Sequence, residues 1–103
     1  MLMGIAYMKQ GIMQEAKIKF EEGLQVAEQL GSRKNLWQLN YYLGLWYQKQ
    51  EQNIEADTCF KQAIEIIHYI SDHIEDPSLK AKFLSREEIQ ALQNIHPNFE
   101  IQS

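Results

Sequence analysis

Forty residues after Gly4 the chain carries Gly44, and the same step joins Tyr7 to Tyr47, Lys9-Gln10 to Lys49-Gln50, Glu15-Ala16 to Glu55-Ala56, and Phe20 to Phe60. Met3 with Leu43, Ile5 with Leu45, Gly23 with Ala63, Leu24 with Ile64 and Leu30 with Ile70 are conservative pairs at that offset. Four of the seven identities fall at small and aromatic positions. Packed helices tolerate least change there, because a small residue lets two axes close up and an aromatic fills the space beside the contact. Self-similarity at a fixed period is the mark of a unit that cannot bury its own faces and stacks on its neighbour.

The unit is helical. Ala16, Phe20, Gly23, Ala27 and Leu30 recur at steps of three and four, as do Ala56, Phe60, Ala63, Ile67, Ile70 and Ile74. Each set makes one apolar helix face. Glu15, Lys19 and Glu22 lie opposite the first, and Glu55, Lys61 and Glu65 opposite the second. No alternating β-branched run and no Asn-Gly or Asp-Gly turn signals a strand. The expected fold is all-α, built of antiparallel helix hairpins.

The pattern Leu43-Gly44-x2-Tyr47, Ala56-x3-Phe60, Ala63 resembles the tetratricopeptide repeat (TPR), and Met3-Gly4-x2-Tyr7, Ala16-x3-Phe20, Gly23 gives a second copy. The signature positions are therefore Gly4, Tyr7, Ala16, Phe20, Gly44, Tyr47, Ala56 and Phe60. The chain departs from the family at Asn40, where tryptophan is usual, and at Glu28 and His68, where the closing proline is usual. Its period is 40 rather than 34, which implies longer second helices. Such long repeats look like those at the C-terminal end of large bacterial signalling and transcriptional regulators. The resemblance implies a TPR-like α-solenoid fragment: a first repeat over residues 1–30, a second over 33–75, capping helices over 76–96 and a flexible tail over 97–103. The first helix of the first copy starts late, so the chain is expected to be a piece of a longer array.

Punctuation in the C-terminal third supports the cap. Asp76-Pro77 places an N-cap residue before a proline at the first helical position. Ser85-x-x-Glu88 reads as a capping box, with Leu84 and Ile89 placed to staple the helix start. Leu79, Phe83, Ile89 and Leu92 are expected to close that end of the array, and Pro97 to end the last helix.

Chemistry is harder to find. His68, Asp72, His73 and Asp76 are metal-ligand types, but the i, i+4 histidine pair of a helical zinc site is absent. Cys59 is the single cysteine, with no base nearby in sequence, and is expected to pack rather than react. No phosphate loop or nucleophile elbow is present. No catalytic residue, metal or cofactor is expected, and the chain is not expected to be an enzyme. A net charge of -4 without a basic block argues against nucleic acid and anionic membranes. The lone cysteine and the lack of a membrane-length apolar run point to the cytoplasm.

What remains is protein binding. The resemblance implies a concave groove lined by the first helices: Leu2, Ile5, Met8 and Lys9 from one repeat, and Gln38, Tyr41, Tyr42, Leu45, Gln48 and Lys49 from the other. Ile5, Tyr41 and Leu45 stand where receptors of chaperone tails carry a lysine and asparagine clamp, so an acidic tail is not the expected ligand. The expected function is a protein-interaction module. The alternative is a homodimer formed through an exposed N-terminal face of Met1, Leu2, Ile5 and Met8, and an enzyme is a distant third.

Overall fold

The computed structural model describes residues 1–96. They form six α-helices: α1 (Leu2–Lys9), α2 (Met13–Leu30), α3 (Arg33–Lys49), α4 (Asn53–Asp72), α5 (Pro77–Leu84) and α6 (Glu87–Ile95). No helix among the described residues is long and apolar enough to cross a membrane. The expected tail and the stop at Pro97 lie outside the described residues.

Short turns fold α1 onto α2 and α3 onto α4. The two turns share one hydrogen-bond scheme. Ile12 N donates to Tyr7 O at 2.8 Å and Gln52 N to Tyr47 O at 2.9 Å. Gly11 N donates to Met8 O, and Glu51 N to Gln48 O, both at 3.1 Å. Each scheme requires one residue in the left-handed region: Gly11 at φ 78° and Glu51 at φ 60°. Glycine adopts it without penalty, whereas the Cβ of a glutamate crowds its own carbonyl.

Beyond each turn the helices meet through a glycine. A Cβ on Gly4 would lie 2.7 Å from Cε1 of Phe20, and one on Gly44 would lie 2.5 Å from Cε1 of Phe60. Real Cβ atoms do not approach so closely, so both glycines are set by contact with the ring. Phe20, Phe60, Ala16, Ala56 and Ala63 are buried around these crossings. A hydrogen bond joins the two hairpins, Trp46 Nε1 donating to Met13 O at 2.7 Å. The Lys17 ammonium lies over the rings of Trp46 and Tyr47, 5.1 and 5.3 Å from their centroids.

At the other end α5 and α6 turn back over α3 and α4. Asp76 caps α5, accepting from Ser78 N at 2.8 Å and Leu79 N at 3.3 Å. Leu84, Ile89 and Leu92 join Trp37, Tyr41, Phe60, Ala63 and Ile67 in one buried cluster. Two expectations need correction. Leu79 is exposed and closes nothing. Ser85 does not cap α6, whose N-cap is Arg86 without a side-chain bond. Only two residues separate α5 from α6, and Ser85 is spent on α5, its Oγ donating to Lys82 O at 2.7 Å.

Phe60 and Glu51 supply opposite tests. Phe60→Ala empties the crossing under Gly44 and is expected to cost about 3–5 kcal/mol, near the whole stability of a small domain. A thermal melt shifted by only a degree or two would contradict this packing. Glu51→Gly copies Gly11. It relieves a left-handed strain of roughly 1–2 kcal/mol and adds about 0.5–1 kcal/mol of unfolded-chain entropy. The expected outcome is a gain of about 0.5–1 kcal/mol in urea unfolding; a loss would show that the turn gains nothing from glycine.

Candidate functional site

The residues expected to line a groove divide into two groups. Gln38 and Tyr41 are interior, 7 % and 8 % exposed. Tyr41 packs on Phe60 and Tyr42 in one cluster with Ile89 and Leu92 of α6, so it does not face an open groove. Ile5 and Met8 are half-buried against the cluster of Phe20, Leu39 and Trp46, which withdraws them from the exposed N-terminal face expected for a dimer. Tyr42 and Leu45 are half-buried. Lys9, Gln48 and Lys49 are exposed near the turn ends of α1 and α3.

Tyr42 sits at the seam. Its ring stacks on Phe20 at 6.2 Å, and its hydroxyl donates to Oε2 of Glu88 on α6 at 3.3 Å. Burial, and then the carboxylate of Glu88, push the phenol up to about 12 from an ordinary 10.0. Glu88 also faces Arg86 at 3.8 Å, and the Arg86 guanidinium lies 5.8 Å from the Trp37 ring. Glu88, expected to serve a capping box, instead ties α6 to α3. Cys59 is buried, and that burial pushes its thiol up to about 11, the opposite of what nucleophilic chemistry needs.

The open apolar surface lies elsewhere. Met1 and, from α1, Met3, with Gly23, Val26, Ala27 and Leu30 from α2 and Leu39 from α3, line a groove of about 460 Å³, with Lys19, Glu22 and Asn35 at its edge. Val26 is 53 % exposed and Leu30 76 %. Forty residues on, the counterparts Ile66 and Ile70 are half-buried and Ala63 and Ile67 fully so. Sequence periodicity placed Leu30 on the core stripe of α2, which is correct for the face and wrong for its burial. Among the described residues α1 has eight residues where α3 has seventeen, and it does not reach Val26 or Leu30. Among the described residues no three His, Cys, Asp or Glu side chains are grouped to hold a metal ion.

Tyr42 gives a pH test. The folded state favours the neutral phenol, so the contribution of Tyr42 is intact below pH 10, where neither state ionises. It is lost as pH rises toward 12, because the unfolded chain releases its proton first. Tyr42→Phe is expected to cost about 0.5–1.5 kcal/mol at neutral pH and to flatten the alkaline fall in stability. Parallel slopes for the two proteins in urea unfolding would show that Tyr42 is not responsible.

Comparison with protein-family models, with curated proteins and with solved structures gives no match.

Proposed function

We propose that this chain is a protein-interaction module: a TPR-like α-solenoid segment, closed at its C-terminal end by α5 and α6 and open along α2. The reading assigns it no chemistry of its own and makes it a cytoplasmic part of a signalling or regulatory protein. One observation carries it. Val26 and Leu30 project into an apolar groove, while the matching stretch of α4 is covered by its own chain. A surface of this kind beside polar rims marks an interaction site on a folded protein. The repeated hairpins support the solenoid reading, since the Gly4–Phe20 and Gly44–Phe60 crossings and both turns recur at the same offset.

A second reading, self-association, draws on Leu2 and Met3, which are 82 % and 55 % exposed beside the groove. It places two copies face to face about a two-fold axis. Sedimentation of the unmodified chain separates the readings: a dimer that Leu2→Lys with Met3→Lys converts to monomer favours the second.

The test of the first reading is a double substitution, Val26→Lys with Leu30→Lys. Both side chains are solvent-facing, so stability is expected to stay within about 0.5 kcal/mol. Peptides selected from a displayed random library on the unmodified chain are expected to bind the double variant at least about tenfold more weakly. If no selected peptide saturates the unmodified chain, or if every one binds the double variant equally well, the interaction reading fails.

A further inference from the structure

Few side chains seat α5 and α6 on the rest of the fold. Leu84, Ile89 and Leu92 are their only buried residues, against eight in α3 and six in α4. Among the described residues two polar contacts tie α6 to the hairpin below it. Tyr42 donates to Glu88 at 3.3 Å, and Nε2 of His96 lies 3.1 Å from Oδ1 of Asp57. The remaining side-chain hydrogen bonds stay within the pair: Gln90 Nε2 donates to Leu84 O at 2.9 Å, Ser85 bonds Lys82 O, and Asp76 caps α5. The two helices are thus one unit, joined to α4 through residues 73–76.

Beneath this unit one donor is left over. Trp37 is fully buried, its ring meets Phe83 edge-on at 6.2 Å, and the Arg86 guanidinium lies 5.8 Å from it. Its Nε1 has no acceptor among the described residues. Trp46, the other tryptophan, donates to Met13 O at 2.7 Å. A buried N–H without an acceptor has given up its bond to water and gained none in return, and native cores hold few of them. The α5–α6 unit matches the shape of the surface under it and leaves that donor unanswered.

We infer that α5–α6 is a displaceable cover, and that the α3–α4 face beneath it takes an amphipathic helix of a partner protein, with apolar residues spaced as Ile89 and Leu92 and an acceptor for Trp37 Nε1. This face is separate from the α2 groove, so the inference goes beyond the interaction reading above. α6 itself shows the mode, a helix laying its apolar side on a hydrophobic face. Tethering gives the cover an effective concentration on the order of millimolar. A partner displaces it by binding better than α6 does, and the unanswered donor is where it gains.

The tests use the full chain. In the unmodified protein, amides of residues 77–95 are expected to exchange through an opening that leaves residues 33–72 protected; one common opening for both stretches overturns the inference. Ile89→Asp with Leu92→Asp is expected to release the cover. A fluorescein-labelled peptide of residues 76–96 should then bind this variant saturably, at least about tenfold more tightly than it binds the unmodified chain, and the peptide carrying the same two substitutions should not bind. If the variant loses the helix signal of α1–α4, the cover is an inseparable part of the core and the inference falls. It falls equally if the variant keeps those helices and binds no peptide. Peptides with Phe83→Gln or Arg86→Gln place a side-chain oxygen beside Trp37. At least one is expected to bind about threefold more tightly, a gain that Trp37→Phe in the receptor removes; no gain from either overturns the acceptor and the partner with it. Val26→Lys with Leu30→Lys in the receptor is expected to leave peptide binding unchanged, and a loss would put the peptide in the α2 groove instead. A dimer of the unmodified chain that the peptide dissociates would make the cover of a second copy the occupant and overturn the partner reading.

Discussion

A glycine pressed against a phenylalanine ring is the contact on which the rest of this structure depends. At Gly44 the space for a methyl group is already taken by Phe60, and at Gly4 by Phe20. The absence of a side chain lets α3 lie close enough to α4 that Phe60 is only 2 % exposed, and the same holds for α1, α2 and Phe20. Full burial of a phenylalanine contributes about 1.5–3 kcal/mol, and close helix approach adds dispersion along the whole crossing. Both crossings use the same turn, so the geometry of one hairpin is reproduced in the other. The Trp46–Met13 bond and the Lys17 ammonium over Trp46 and Tyr47 then hold the hairpins together.

From that duplication comes an asymmetry. Two similar hairpins stand side by side, and among the described residues the second has the longer first helix and a following helix pair over it. Trp37, Leu84, Ile89 and Leu92 seal the α4 side, and Tyr42 with Glu88 fixes α6 across α3. On the α2 side nothing among the described residues plays the part of Trp37. The apolar stripe of α2 is thus half core and half surface, with Ala27 buried and Val26 and Leu30 in the open. An exposed apolar surface arises here without any residue type foreign to the core.

Much of this could be read from the residues. Gly4, Gly44, Phe20, Phe60, Ala16 and Ala56 were legible because close packing leaves few alternatives at those positions. Asp76 was legible because a cap before proline has one use. Other features depended on what lies across from them, which local pattern does not contain. Tyr41 became interior because Ile89 and Leu92 of α6 close over it. Glu88 looked like a capping residue until the two-residue link between α5 and α6 left Ser85 to end one helix rather than begin the next. Val26 and Leu30 matched the core periodicity of their helix, and periodicity does not say what lies across from a face; among the described residues neither is covered.

The central claim is that equivalent halves of α2 and α4 differ in cover and not in fold. Hydrogen exchange of backbone amides in the unliganded chain tests it most directly. Amides that open by local fluctuation exchange faster where few apolar contacts hold the helix. The account predicts that residues 23–30 exchange markedly faster than residues 63–70, while the stretches around Phe20 and Phe60 are alike. Equal protection of 23–30 and 63–70 would mean that α2 is as well covered as α4, and would contradict the open groove.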